Sequence, residues 1–108
     1  MDEREFMAAA DAELVRIEAA LEVASDSGIA DFDFETKPGG VIEIEFGNGS
    51  KIILNRHGAA REIWLAAKSG GYHFRPEGGR WLGTRDGEEL LAAVARTLSE
   101  QAGVRIAL

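Results

Sequence analysis

The stretch that decides the fold is residues 41–68, which read VIEIEFGNGSKIILNRHGAAREIWLAAK. In its first part, apolar side chains alternate with glutamates, as on a strand that buries one face. Asn48-Gly49 predicts a tight hairpin turn with positive φ at both positions, and residues 50–56 form the returning strand. Residues 62–68 predict a further strand. Such short connections between strands indicate an antiparallel sheet.

Outward from this stretch, the first 25 residues contain neither Gly nor Pro and place apolar side chains at steps of three and four. We therefore predict an amphipathic helix. Its buried stripe is Phe6, Ala10, Leu14, Ile17, Leu21 and Ala24. A second helix is predicted to start in the acidic turn 86–89, with acids in its first turn. Its buried stripe is Leu90, Leu91, Val94, Leu98 and Ala102.

The segments 31–35, 72–75 and 80–82 predict three more strands, which brings the total to about six. The order is helix, antiparallel strands, helix. Because an antiparallel sheet can leave one face to water, both helices are expected on the other face. The fold class is α+β, a two-layer sandwich forming a single domain over residues 1–108.

The charge is distributed unevenly. The chain has 108 residues, no Cys and a net charge of −7. Residues 1–46 carry 13 acidic and three basic side chains, whereas residues 47–108 carry six acidic and nine basic ones. This acidic pole repels nucleic acid and anionic membranes and attracts cations or a basic protein surface. No apolar run could span a membrane and the first residues do not resemble a signal sequence, so we expect a cytoplasmic protein.

Catalytic templates are absent from the sequence. No glycine-rich phosphate loop precedes a helix, and no serine stands in a nucleophile elbow. His57 and His73 lack metal-ligand spacing, and a lone strand histidine such as His73 is typically structural or exposed. We therefore expect neither catalytic residues nor an organic cofactor.

The acids are the one constellation that suggests a site. At about 100° per residue, Asp11, Glu18 and Glu22 fall on one flank of the first helix. If the first strand is the sheet edge beside that flank, its outward acids continue the same surface. The candidate metal-binding residues are Asp11, Glu18, Glu22, Asp26, Asp31, Asp33 and Glu35. A hard cation would relieve the repulsion between these carboxylates. The alternative, which composition alone favours, is an ordinary solvated surface.

Trp64 is the second candidate. Alternation places it on the face opposite Ile63 and Leu65, so we expect it to be exposed on the open face of the sheet. An exposed tryptophan there is a frequent anchor for a protein partner. The alternative is that it packs on neighbouring strand side chains such as the stem of Lys51.

Three segments together resemble the signature of bacterial frataxins of the CyaY type. They are FGNGSKIILNR at 46–56, IWLA at 63–66 and GGYHF at 70–74, and the acidic first helix and the total length agree as well. The resemblance implies the sandwich predicted above. It also implies that ferrous or ferric iron binds weakly to an acidic ridge, where other divalent or trivalent cations can substitute. This ridge corresponds to Glu18, Glu22, Asp26, Asp31, Asp33 and Glu35, and the family's exposed tryptophan to Trp64.

The resemblance further implies a partner, the cysteine desulfurase of iron–sulfur cluster assembly, with the scaffold protein or ferredoxin as further candidates. Glu18, Glu22 and Trp64 are the expected partner-binding residues, and the protein without metal is expected to be a monomer. Three hypotheses follow: an iron-binding regulator or supplier of the desulfurase, a regulatory binding module in which metal is incidental, and a weak ferroxidase. The sequence disfavours the third because it offers no carboxylate–histidine cage for two iron ions.

Overall fold

The strands form one six-stranded antiparallel sheet in the order β1-β2-β3-β4-β5-β6, in a computed structural model that describes all 108 residues. The predicted fold class is confirmed. The elements are α1 Glu3–Asp26, β1 Phe32–Lys37, β2 Val41–Phe46, β3 Lys51–His57, β4 Glu62–Ala67, β5 Gly70–Glu77, β6 Arg80–Gly83 and α2 Leu90–Ala102. Because each strand pairs with the next along the chain, β1 and β6 are the two sheet edges.

Helix α1 begins with a capping box. The Asp2 side chain accepts a hydrogen bond from the Glu5 backbone, and the Glu5 side chain accepts one from the Asp2 backbone. The helix ends at Asp26, followed by Gly28 in the left-handed region at φ 71°. Its six buried residues are those of the predicted stripe. The helical period of the sequence therefore determines which face of α1 meets the sheet.

The sheet has one apolar inner face and one polar outer face. A single core cluster of 21 buried residues joins the inner face to the apolar stripes of both helices, so both helices cover the same side. Trp81 belongs to this core and packs edge-to-face on Phe6 with ring centroids 5.9 Å apart. After α2, Ile106 is buried in the same cluster, so the last residues pack back onto the domain.

The β2–β3 turn differs from the predicted one. Of the residues Gly47–Ser50, only Gly49 has positive φ, at 88°, whereas Asn48 does not. The Asn48 side chain instead accepts from the Ser50 backbone and donates to the carbonyl of Gln101 in α2. Only the glycine of this turn is therefore left-handed, and the asparagine side chain connects the hairpin to the helix through its hydrogen bond.

The start of α2 also differs. Glu88 and Glu89 precede the helix, which begins at Leu90 with no acid in its first turn. A bridge between Leu82 and Glu89, and a 2.7 Å hydrogen bond from the Gly83 backbone to the Glu88 carbonyl, hold this segment extended beside β6. The two acids pair with Arg96 and Arg80 instead of capping the helix.

Strand β5 runs to Glu77, two residues beyond its predicted end at Arg75. Along β5 the pairing with β4 ends at Phe74. Pro76 therefore has no partner on β4 that needs its missing N–H, and the strand can accommodate it. Neither helix is long and apolar enough to cross a membrane.

Candidate functional site: an acidic sheet edge and an aromatic stack

The site prediction assumed that the first strand lies at an edge of the sheet, and β1 does lie there. It pairs only with β2, and α1 lies along its inner side. A depression of about 160 Å³ between α1 and the β1–β2 turn is lined in part by Glu18, Asp11 and Lys37. A second of about 210 Å³ lies on the outer face and is lined by Asp33, Phe34, Glu35, Glu43 and Glu45. Acids of the helix and of the strand therefore flank one edge from its two sides.

Five of the seven candidate metal ligands have no cationic partner within 4 Å in the chain. These residues, called the acidic edge below, are Glu18, Glu22, Asp26, Asp31 and Asp33. Glu22 and Asp26 lie in the last two turns of α1, where the helix dipole is negative. The last turn contains no basic residue. Repulsion at this end of the helix is thus uncompensated by the protein itself.

The other two candidates are already paired. Asp11 forms an ion pair with Arg56, which reaches it from the inner face of β3. Glu35 lies 3.6 Å from the ammonium group of Lys37. A cation from solution would have to compete with these side chains at Asp11 and Glu35, whereas it meets no competitor at the acidic edge.

Two acids that the site prediction omitted stand opposite β1. The register pairs Asp33 with Glu45 and Glu35 with Glu43, so like charges face each other across the β1–β2 ladder. Lys37 and Lys51 donate hydrogen bonds to Glu43, at 2.8 and 3.1 Å, and these bonds hold the pKa of Glu43 below its usual range. The alternation of residues 41–46 already places both glutamates outward, but the register that sets them against β1 appears only in the structure.

The carboxylates do not form a chelating cage. No group of three or more His, Asp or Glu side chains is arranged to hold one metal ion. Carboxylate oxygens suit hard cations, and a site of one or two such groups at the surface binds them weakly and with strong dependence on salt. This donor set fits a hard cation, such as an iron ion, that is held loosely at the surface.

Trp64 lies on the outer face, as predicted, but it is half-buried rather than open. Its ring lies nearly parallel to those of His57 and His73, with centroid separations of 4.0 and 4.6 Å and interplanar angles of 11° and 12°. His73 is its direct partner on β5, while His57 comes from β3 on the other side. The ring therefore packs on neighbouring strand side chains, as the alternative interpretation had it, but these are two imidazoles and not the stem of Lys51, which pairs with Glu43 and Glu45.

Beneath this stack lies Glu62, whose side chain is only 7% exposed. It accepts hydrogen bonds from Trp64 Nε1 and Arg75 Nε, both at 2.8 Å, and His73 Nδ1 lies 3.2 Å away. Burial acts to raise the pKa of Glu62, but the hydrogen bonds from Trp64 and Arg75, with the nearby charges, hold it below its usual range. The sequence alternation puts Glu62 beside Trp64 without revealing this burial.

Comparison with known proteins identifies close relatives. The model of the frataxin-like domain matches residues 1–104. The iron-sulfur cluster assembly protein CyaY of Dechloromonas aromatica is 53% identical over 108 residues, covering 100% of this chain and 99% of its own. CyaY of Cupriavidus taiwanensis is 50% identical over 106 residues, covering 98% of this chain and 95% of its own.

Two solved structures share the fold. Frataxin from Psychromonas ingrahamii superposes with a TM-score of 0.86 at 28% identity, covering 99% of this chain and 97% of its own. Trimeric frataxin from the yeast Saccharomyces cerevisiae, described as a ferrous complex, superposes with a TM-score of 0.76 at 25% identity, covering 88% and 86%.

Proposed function

This chain belongs to the frataxin family, and we propose that it serves iron–sulfur cluster assembly in the cytoplasm, binding iron on the acidic edge and regulating or supplying the cysteine desulfurase. Relatives at about half identity over their full length carry the name of iron-sulfur cluster assembly proteins. The yeast structure described as a ferrous complex supports iron as the cargo.

The observation that carries the proposal is the set of five carboxylates without a cationic partner on α1, on β1 and in the connection between them. Their charge is concentrated in a chain whose net charge is −7. Such a surface attracts iron, and it also steers the protein toward a basic surface on a partner. The two roles use the same residues, which gives iron loading and partner binding a physical basis for influencing each other.

Trp64 provides the second contact. It stands on the outer face, which no helix covers, and both the acidic edge and this face are available to one large partner. We expect the desulfurase to bind by charge at the edge and by desolvation at the tryptophan.

A second candidate is a binding module for which metal is incidental. The observation that favours it is the lack of any three-ligand group, because one or two surface carboxylates bind metal only weakly. In this case the desulfurase contact stays and the iron dependence disappears.

Anaerobic titration with ferrous iron, with and without the desulfurase, separates the two candidates. The proposal predicts weak iron binding that shifts the amide NMR signals of the acidic edge, and a desulfurase affinity that changes with iron. Glu22→Gln should weaken iron binding, whereas Glu77→Gln, an exposed acid near the opposite sheet edge, should leave it unchanged. Iron-independent desulfurase binding would favour the module, and shifts centred on His57 or His73 would refute the acidic edge. Light scattering during the titration tests the expected monomer without metal.

A further inference from the structure

The aromatic stack on the outer face leaves Trp64 no open ring face. His57 projects from β3 and His73 from β5, the two strands that flank the Trp64 strand on either side. With centroids 4.0 and 4.6 Å away, both imidazoles lie at stacking distance. A partner therefore meets the indole at its edge and cannot stack a ring of its own on either face.

Hydrogen bonds also hold the rings of Trp64 and His57, and the ring of His73 lies beside a carboxylate. Glu62 takes the indole N–H of Trp64 at 2.8 Å and lies within 3.2 Å of His73 Nδ1. His57 Nδ1 accepts from the backbone N–H of Ala60 at 3.2 Å.

The turn behind His57 is strained. Arg61 is the one non-glycine residue with positive φ, at 55°, and its guanidinium donates to the Gly58 carbonyl at 2.6 Å. Left-handed backbone at a bulky residue is unfavourable and persists only where the surroundings enforce it. The turn places the Ala60 N–H against His57 and so fixes the imidazole beside Trp64.

Glu62 is the unusual member of the group, since it is the only charged residue among the buried ones and stands on the outer face of the sheet. A buried carboxylate is costly unless all its bonds are made. Here each of its oxygens has a donor, from Trp64 and from Arg75. Ile63 and Leu65 of the same strand belong to the apolar core, so by alternation the side chain of Glu62 lies on the opposite face of the sheet.

We propose that Glu62, together with His57 and His73, is a positioning residue that holds the indole of Trp64 in one orientation for contact with the desulfurase. This inference rests on the proposed function, because it assigns the outer face to that partner. A ring already ordered in the free protein loses less freedom on binding, and the advantage is expected mainly in the dissociation rate.

Two readouts test the inference: solvent exchange of the Trp64 indole proton by NMR, and the dissociation rate from the desulfurase. Glu62→Ala should speed indole exchange about tenfold and dissociation about five- to tenfold, since it removes the acceptor of the indole N–H. Glu62→Gln, which keeps an acceptor oxygen, should restore both rates to within about twofold. Glu62→Leu keeps the volume and replaces the alanine variant if that variant does not fold. Glu77→Ala removes an exposed carboxylate of β5 that belongs neither to the stack nor to the acidic edge, and should change neither rate.

The outcomes are distinct. The positioning role is refuted if Glu62→Ala and Glu62→Leu keep slow indole exchange. It is also refuted if both variants dissociate from the desulfurase like the wild type while Trp64→Ala dissociates faster. In either case the proposed function survives. If Trp64→Ala itself binds normally, the outer face is not the desulfurase contact, and the proposal for this face fails together with the inference.

Discussion

Asp11 and Glu22 lie on the same helix, and the structure predicts opposite consequences when each loses its charge. Asp11 is the partner of Arg56, whose side chain is 20% exposed and whose Nε is buried without a hydrogen bond. Glu22 has no cationic partner and stands four residues from both Glu18 and Asp26. Asp11→Asn and Glu22→Gln are therefore matched variants that remove one negative charge each.

The expected sizes follow from these surroundings. Asp11 is 54% exposed, so its ion pair is screened by solvent, but its loss leaves Arg56 partly desolvated. We expect Asp11→Asn to reduce the free energy of unfolding by about 1 kcal/mol, which lowers Tm by about 4–8 °C in a domain of this size. Glu22→Gln relieves two like-charge pairs worth about 0.2–0.5 kcal/mol each, so Tm should stay constant or rise slightly.

The change in stability is measured by thermal unfolding. The change in cation affinity is measured on the same samples by a cobalt or lanthanide titration followed by amide NMR. Asp11→Asn should lose stability and keep the cation affinity, whereas Glu22→Gln should keep stability and lose affinity. The reasoning is refuted if Asp11→Asn weakens cation binding as much as Glu22→Gln does and leaves Tm unchanged. Asp11 would then be a ligand, as the sequence predicted, and its pair with Arg56 would contribute nothing.

Three further perturbations have definite expected results. The folded pKa of Glu62 is lowered, so its ionised form stabilises the protein above about pH 5, and this contribution is lost as the pH falls through the lowered value. In urea unfolding, Glu62→Gln should therefore be less stable than the wild type by about 1–2 kcal/mol at pH 7. The two proteins should be equally stable at acidic pH, where the wild-type Glu62 is protonated. Gln101→Ala removes side-chain hydrogen bonds to the backbones of Lys51 and Lys68, and should cost about 2 kcal/mol in the same assay. Gly47→Ala would place a Cβ 2.1 Å from a carboxylate oxygen of Asp31; the displaced carboxylate should weaken cation binding in an NMR titration with little change in Tm, and an unchanged affinity would remove Asp31 from the site.

Local patterns predicted the architecture because they reflect local constraints. The stripe of α1 follows from the helical period, and the alternation of residues 41–46 follows from the strand period. Where a prediction failed, a tertiary contact had overridden the local preference. Asn48 avoids the expected positive φ and bonds to α2, and Glu88 and Glu89 lie extended along β6 instead of starting the helix.

The sequence was sufficient to predict which residues contribute to the site, but not which of them form ion pairs or ring contacts with one another. Helical geometry placed Asp11, Glu18 and Glu22 on one flank, but the pair of Asp11 with Arg56 joins residues 45 positions apart and depends on how α1 crosses β3. The stack around Trp64 likewise depends on strand register. Alternation alone puts His57, Trp64 and His73 on one face without indicating that their rings meet.

The central claim is that charge at the acidic edge and desolvation at Trp64 act separately in binding the desulfurase. The direct measurement is association and dissociation kinetics at two ionic strengths for the wild type, the Glu18→Lys/Glu22→Lys double variant and Trp64→Ala. The double variant should associate more slowly with a flatter salt dependence, and Trp64→Ala should mainly dissociate faster with an unchanged salt dependence. If the double variant associates as fast as wild type at both ionic strengths, or Trp64→Ala binds normally but melts far earlier, the claim is contradicted.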